Sequence, residues 1–465
     1  MILAIDQGTT GTTALLMDRR ARVASQGYAE LPQHYPRPGW VEHDPQDMLL
    51  TTRAAIQRAL AHGRVRPRAI AAIGITNQRE TTVVWDRRTG RPVARAIVWQ
   101  CRRTAPLCDR LSARGLAPEV RRRTGLVIDA YFSGTKIRWL LDHVPGLRAL
   151  ARRGDAAFGT VDSWLLWRLS GGRTHATDYT NASRTLLYNI RTRRWDPVLL
   201  NALGVPASML PLVQTSSGLF GVTKGWAPLP SGIPISGIAG DQQASMVGHG
   251  CLRPGSAKNT YGTGCFLLVN IGRRFIASRH GLITTLIYDG TPTPAYALEG
   301  SVFIAGAAIQ WLRDGVRLIR QASETEGIAR GVADTGGVYV VPAFVGLGAP
   351  YWDMAARGAV IGITRGTTRE ILVRATLESL AYQTRDVVEA MEQDSGLRLR
   401  QLQVDGGASK NDWLMQFQAD LLGIPVARPA MVANTGKGAG LLAGIGIGWW
   451  TSSDLLRFAG HPEMY

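Results

Sequence analysis

Short apolar runs broken by glycines and hydroxyl residues open the chain. Ile2, Leu3, Ala4 and Ile5 form a continuous apolar run, Gly8-Thr9-Thr10-Gly11-Thr12 interrupts it, and Ala14, Leu15, Leu16 and Met17 resume it. That spacing predicts a β-hairpin with a tip of glycines and hydroxyls. A third apolar strand over residues 70–75 leads into Thr76-Asn77-Gln78-Arg79-Glu80, and residues 82–86 continue in strand style. Apolar positions recur with helical spacing over residues 48–60 and 137–150. In the middle of the chain the hairpin plan returns: Lys258-Asn259-Thr260-Tyr261-Gly262-Thr263-Gly264 is followed by Cys265-Phe266-Leu267-Leu268-Val269. Just upstream, an apolar strand over 234–239 delivers Asp241 to a helix start, and a strand over 402–405 delivers Gly406-Gly407 to another at Asn411. The pattern predicts an α/β protein of two lobes that meet near residues 240–260, with a cleft between them.

Length and composition narrow the class. At 465 residues the chain is long enough for two or three domains, and 45% apolar with 19% charged residues is an ordinary globular balance. Disordered and fibrous classes are excluded. The formal charge of +18 raises nucleic acid as a partner. Yet lysine occurs only at positions 136, 224, 258, 410 and 437, and the arginines that supply the rest are dispersed, without a basic run or interleaved aromatics. No nucleic-acid partner is expected. Four irregularly spaced cysteines suit neither a disulfide framework nor a structural zinc site and point to a reducing compartment. The first charge falls at Asp6, without the pattern of a secretion signal, and the apolar stretch over 438–450 is glycine-punctuated and shorter than the ~20 residues of a membrane span. A cytoplasmic chain without membrane association is expected.

Each candidate motif has an ordinary structural explanation beside its chemical one. Asp6-Gln7-Gly8-Thr9-Thr10 at a strand end could hold phosphate through backbone N–H groups and hydroxyls, with the carboxylate on Mg²⁺ through water. Hairpin turns also contain these residue types for conformational reasons alone. A second hairpin tip at Thr260–Gly264 favours phosphate, because a polyphosphate needs donors from more than one loop. Gly406-Gly407 allows close approach of backbone to a ligand, or is a plain strand-to-helix turn. Asp241 is either a helix cap or the general base that a hydroxyl nucleophile needs in phosphoryl transfer. Arg79 and Glu80 together offer donors and an acceptor suited to a small polyol, with Trp99 and Phe266 as candidate cover for its carbons. Spacing alone defines a two-lobed nucleotide-binding enzyme.

Taken jointly, the motifs resemble those of the FGGY carbohydrate kinases, within the superfamily of actin, Hsp70 and hexokinase, and in particular the members of that family that phosphorylate glycerol. The resemblance runs from Ile2 to about Trp450. It is carried by Ile5 to Thr10, Thr76 to Thr81, Tyr131-Phe132-Ser133-Gly134-Thr135-Lys136 with Trp139, Gly240-Asp241-Gln242-Gln243, Asn259 to Phe266, Gly306 with Ile309-Gln310-Trp311, and Val404 to Ala408. It implies two ribonuclease-H-like lobes, residues 1–247 for glycerol and the first phosphate hairpin and 248–465 for the nucleotide. It further implies that Arg79, Glu80, Tyr131, Asp241 and Gln242 bind glycerol, with Trp99 and Phe266 against its carbons and Asp241 as the base. Thr9, Thr10, Gly11 and Thr263 would bind phosphates, Asp6 would hold Mg²⁺, and Gly306, Gln310, Gly407 and Asn411 would contact ATP. The implied products are sn-glycerol 3-phosphate and ADP, and the implied assembly is a homo-oligomer.

Departures from the family pattern keep rivals open. Thr13 stands where an arginine is common and Gly11 where serine is frequent; losing a guanidinium near phosphates removes a charge-assisted donor worth ~1.5–3 kcal/mol. Over 432–440, Ala433 replaces a glutamate, Gly436 an alanine and Lys437 a leucine. Three glycines at ~1 kcal/mol each and a lysine at an apolar position predict a late-starting or loosened helix. The chain also ends at Tyr465, ahead of the family's usual terminus, which attaches an expectation of lowered stability. A kinase for another small polyol or ketose and a weakened nucleotide-binding pseudokinase are the alternatives.

Overall fold

The computed structural model describes residues 1–430 and 433–465. They form two units: Met1–Gly250 with Thr285–Ala295 and Asn434–Phe458, and Cys251–Thr284 with Tyr296–Ala433 and Ala459–Tyr465. The first unit is organised by strands β1 (Ile2–Gln7), β2 (Gly11–Met17) and β3 (Val23–Glu30). Helix α1 (Pro45–Gly63) follows, capped by the Asp44 side chain, which accepts from the Gln46 N–H. Strand β4 (Ala72–Asn77) comes next. The predicted helix over 137–150 is two helices, α2 (Ser133–His143) and Leu147–Arg152, because Pro145 cannot donate in a helix interior and Gly146 takes a left-handed φ of 76°. A short helix α3 (Tyr179–Ala182), strands β5 (Ser217–Val222) and β6 (Pro234–Gly240), and helix α4 (Asp241–Gly248) complete the main run.

The sheet order is β5-β6-β4-β1-β2-β3. The predicted hairpin is present, with β1 antiparallel to β2 and Asp6 opposite Thr13, while β1, β4 and β6 run parallel. Leu3, Ile5, Leu16, Ile73, Ile75, Ile235 and Ile238 join one buried core from these strands. Three parallel strands therefore end at one edge, at Gln7, Asn77 and Gly240. Ligands of open α/β sheets collect at such carboxyl ends.

The second unit repeats the plan. Strands β7 (Ala257–Tyr261) and β8 (Cys265–Gly272) form its hairpin, and β9 (Ala295–Val302) adds antiparallel to β8. Helix α5 (Gly306–Gln310) precedes β10 (Leu402–Gly406), which pairs parallel to β7. Helix α6 (Asp412–Leu422), then β11 (Val426–Arg428) and β12 (Glu463–Met464), finish this side of the sheet. Strands β9-β8-β7-β10-β11 thus follow the same antiparallel and parallel sequence as β3-β2-β1-β4-β6. The repeated hairpin legible in the chain is the visible part of a repeated fold.

Helix α7 (Asn434–Gly446) belongs to the first unit. Val432 lies outside the described residues. From Asn434 onward the predicted loosening is not found, and the glycines explain why. A Cβ on Gly438 would lie 1.8 Å from the Ala244 carbonyl oxygen of α4, and one on Gly440 would lie 2.3 Å from Met17 Sδ. Gly74 of β4 and Gly237 of β6 make matching room for the backbone of Ala439 and Ala443. Close packing of α7 on α4 and the sheet offsets the helix-propensity cost of those glycines. Lys437 is buried, its ammonium donating to the Phe458 carbonyl, and desolvation lowers its pKa.

Candidate active site

In the first unit the edge formed by β1, β4 and β6 carries most of the residues singled out for glycerol. The β4 end turns sharply: Glu80 has a left-handed φ of 59°, a conformation uncommon for a residue with a side chain and often stored at functional sites. Its carbonyl accepts from Ser133 Oγ at 3.0 Å and from Thr82 Oγ1 at 3.1 Å. Both Arg79 and Glu80 are buried. Arg79 Nε lies 3.1 Å from Asp241 Oδ1, and Arg79 Nη1 donates to Gln243 Oε1 at 3.3 Å. Gly240 is needed beside them, since a Cβ there would meet Arg79 Cδ at 2.7 Å.

Asp241 is the first residue of α4, and its Oδ1 accepts from the Gln242 N–H at 2.7 Å. Its side chain is 27% exposed, against 2% for Arg79 and Glu80. Among these three charged side chains it is the one solvent reaches. Tyr131 is buried with its ring edge-on to Trp99 at 5.6 Å. Trp99 Nε1 donates to Thr9 Oγ1 at 2.9 Å, so the indole joins Tyr131 to the β1–β2 hairpin tip. At that tip the Tyr28 hydroxyl donates to the Thr10 carbonyl at 3.2 Å and its ring end lies over Gly11.

The second unit holds a cavity of about 470 Å³ lined by Thr263, Gly306, Gln310, Gly407 and Asn411, all five singled out for phosphates or nucleotide. The hairpin tip is laced to α5: the Thr263 carbonyl accepts from Ala305 and Ala307, and the Gly262 carbonyl from Gly306. Only glycine fits at 306, where a Cβ would lie 2.6 Å from that Gly262 oxygen. Gly406 has φ 92° and sits against the Tyr261 backbone, whereas a Cβ on Gly407 would meet nothing within 4 Å. Asn411 caps α6, accepting from the Leu414 N–H at 2.9 Å, and donates to Thr325 Oγ1 at 3.1 Å. The capping role and the place in the cavity wall coexist. Phe266 is a buried residue of β8 in this unit.

Sequence reasoning missed several wall residues of the cavity, among them Arg313, Ser323, Glu326 and Lys410. Arg313 and Lys410 lie beside Gln310 and Asn411 but outside the motifs, and Ser323 and Glu326 come from a segment that no motif marks. It also gave no role to Arg184, fully buried and donating from Nε to Glu80 Oε1 at 2.6 Å. In a chain this rich in arginine, one more carries no signal.

The chain belongs to the FGGY family of carbohydrate kinases: the family's N-terminal domain matches residues 1–248 and its C-terminal domain residues 257–447. Within it, the chain is 59% identical over 455 residues to a glycerol kinase of Carboxydothermus hydrogenoformans, spanning 98% of this chain and 91% of that protein. A glycerol kinase of Symbiobacterium thermophilum is 59% identical over 97% of this chain and 90% of its own length. Among solved structures, that of Plasmodium falciparum glycerol kinase with ADP superposes with a TM-score of 0.92 at 36% identity, covering all of this chain and 93% of that one. A gluconate kinase from Lactobacillus acidophilus shares the fold (TM-score 0.88, 21% identity, 100% of this chain and 93% of that one). Fold alone therefore does not select the substrate.

Proposed function

We propose that the chain phosphorylates glycerol with ATP, giving sn-glycerol 3-phosphate and ADP by direct in-line transfer. One observation carries the reading: Asp241 alone of the charged trio is open to solvent, while buried Arg79 holds it at 3.1 Å. A terminal hydroxyl can reach that carboxylate. Asp241 takes the hydroxyl proton as the oxygen attacks the γ-phosphorus, and the bond from phosphorus to the bridging oxygen breaks to release ADP. Arg79, Glu80, Tyr131 and Gln242 hold the hydroxyls, and Trp99 and Phe266 cover the carbons. Thr263, Gly306, Gln310, Gly407 and Asn411 hold the nucleotide, and Thr9, Thr10 and Gly11 receive phosphate. The division near residue 248 separates glycerol binding from nucleotide binding.

Mg²⁺ fits the donors of this chain. The ion commonly takes one or two carboxylates plus phosphates and water, and the Asp6 carboxylate at the β1 end supplies one without a cluster of acids. When bound, the ion neutralises charge on the transferring phosphate.

The similarity to proteins named glycerol kinase at 54–59% identity favours glycerol over another polyol or a ketose, and an active enzyme over a pseudokinase. The chain is read as cytoplasmic, supported by four free, buried cysteines; among the described residues no helix is long and apolar enough to cross a membrane. It is also read as self-associating. Support comes from the antiparallel strand pair Tyr339–Val341 and Ala359–Ile361, where Tyr339, Val341 and Ile361 are exposed on one face. Light scattering on the purified protein would give a mass of one chain if that is mistaken.

The activity is tested by following ADP release and glycerol 3-phosphate together, with Mg-ATP and with or without glycerol. Saturable, glycerol-dependent formation of both is expected. A folded protein that binds ATP and turns over neither would favour the pseudokinase.

A further inference from the structure

Every polar side chain but one in the run Asp178-Tyr179-Thr180-Asn181-Ala182-Ser183-Arg184 is tied, directly or through one bridge, to a residue of the glycerol group or its chain neighbour. Asp178 starts α3, accepting from the N–H groups of Thr180 and Asn181. Thr180 Oγ1 accepts from the Gly240 N–H at 2.9 Å, next to Asp241. Asn181 and Asn77 exchange side-chain amide hydrogen bonds at 3.1 and 3.2 Å, fixing the end of β4 two residues before Arg79. Ser183 Oγ pairs with Thr285 Oγ1 at 2.9 Å, Thr285 Oγ1 accepts from Gln243 Nε2 at 3.1 Å, and Gln243 Oε1 accepts from Arg79.

Arg184 completes the set. Its Nε donates to Glu80 Oε1 at 2.6 Å, and its guanidinium lies over the rings of Tyr131 and Phe132 at 5.6 and 5.3 Å. Lys136 holds the same turn from its backbone side, donating to the carbonyls of Glu80 and Tyr131. Two buried cations thus grip one left-handed residue. A buried guanidinium is a poor device for stability alone, because its desolvation offsets much of the attraction it gains. It is a good device for direction, since the planar fork orients a carboxylate.

We propose that Arg184 is a positioning residue for glycerol recognition, acting through Glu80: it holds the Glu80 carboxylate and the Tyr131 ring in the arrangement the polyol binds. The inference rests on the reading of Glu80 as a glycerol ligand. Neither residue touches the nucleotide cavity in the second unit, so the effect falls on glycerol and not on ATP.

The test uses the full chain with Arg184→Gln, Arg184→Lys, Glu80→Gln and the Glu80→Gln/Arg184→Gln pair, measuring KM for glycerol, KM for ATP, kcat and the thermal midpoint. Arg184→Gln should raise the glycerol KM about 10–100-fold with the ATP KM within about twofold, and Arg184→Lys should recover part of the loss. On the Glu80→Gln background, removing Arg184 should add no more than about twofold, because the group it acts through has changed. Full multiplicative effects in the pair would overturn the proposal, as would glycerol and ATP KM rising together. Should Arg184→Gln fail to fold, Arg184→Lys decides: an unchanged glycerol KM refutes the role. If Glu80→Gln itself leaves the glycerol KM unchanged, the ligand reading of Glu80 fails and this inference with it; a Glu80 effect without an Arg184 effect fails the inference alone.

Discussion

The two units share a fold plan and use it in opposite ways. At the strand ends of the first, the recognition proposed is by charge: Arg79 meets Asp241 and Glu80, and Glu80 meets Arg184, each fixed by hydrogen bonds or ion pairs. At the strand ends of the second, it is by space: a cavity of about 470 Å³ with Gly262, Gly306 and Gly407 in its wall. The difference follows from the ligands proposed. Three hydroxyls on three carbons offer little surface, so selectivity must come from directed donors and acceptors. A nucleotide has enough surface and charge for shape and backbone N–H groups to hold it.

Asp241→Asn should break this comparison most completely. Turnover should fall about 10²–10⁴-fold, while ATP affinity measured by calorimetry stays within about twofold. Retained turnover would remove Asp241 from the role of base. Next come two variants that should separate the units. Arg79→Ala should raise the glycerol KM about tenfold or more with little change for ATP, and Gly407→Val should do the reverse. The valine has room to fold, since a Cβ at Gly407 meets nothing within 4 Å. Crossed effects in either variant would contradict the division of labour.

A smaller contrast lies in acid stability. Burial lowers the pKa of His43 and of His175, both in the first unit, from 6.5 to about 4. Between pH 4 and 6.5 these two imidazoles therefore bind more protons in the unfolded chain than in the folded one, so their contribution to stability rises with pH across that window and is lost as pH falls through it, while buried Asp162 of the same unit, its carboxyl pushed up to about 7 by desolvation, works in the opposite direction. From pH 7 to pH 5 the thermal midpoint of the parent chain should therefore lose a few °C more than that of a His175→Gln variant, and hydrogen exchange should show that loss first around His43 and His175. Equal loss in both units would remove the contrast. The smallest effect is expected from Thr13→Arg, opposite Asp6 in the hairpin: activity unchanged or raised a fewfold, with a marked loss showing that Thr13 has its own role.

Several of these residues are legible in the order of amino acids. Asp6, Arg79 and Asp241 follow short apolar runs, Gly407 follows the alternating Leu402-Gln403-Val404-Asp405, and Thr263 sits in a tip of glycines and threonines; a parallel strand that ends at a sheet edge must present the next residues there. The two hairpins are visible for the same reason, since glycines and threonines interrupt β-patterned runs at matching places. Other features cannot be seen along the chain. Glycines 436, 438 and 440, counted one by one, amount to a weakened helix; only the backbone of α4 and the side chains of β2 show that nothing larger fits.

Local pattern along the chain therefore settles the repeated hairpins and the residues that strand ends deliver, because those depend on periodicity and on spacing of a few residues, and the motifs taken jointly carry the resemblance to the family. Long-range packing settles what depends on distant partners. It returns α7 to the sheet of the first unit, where Ser236 Oγ donates to the Ala443 carbonyl across 207 residues, and it sets Arg184 on Glu80 across a separation of 104 residues. A buried charge acquires its meaning from what surrounds it, and for Arg184 those surroundings come from Glu80, Tyr131 and Phe132, which no run of residues places beside it.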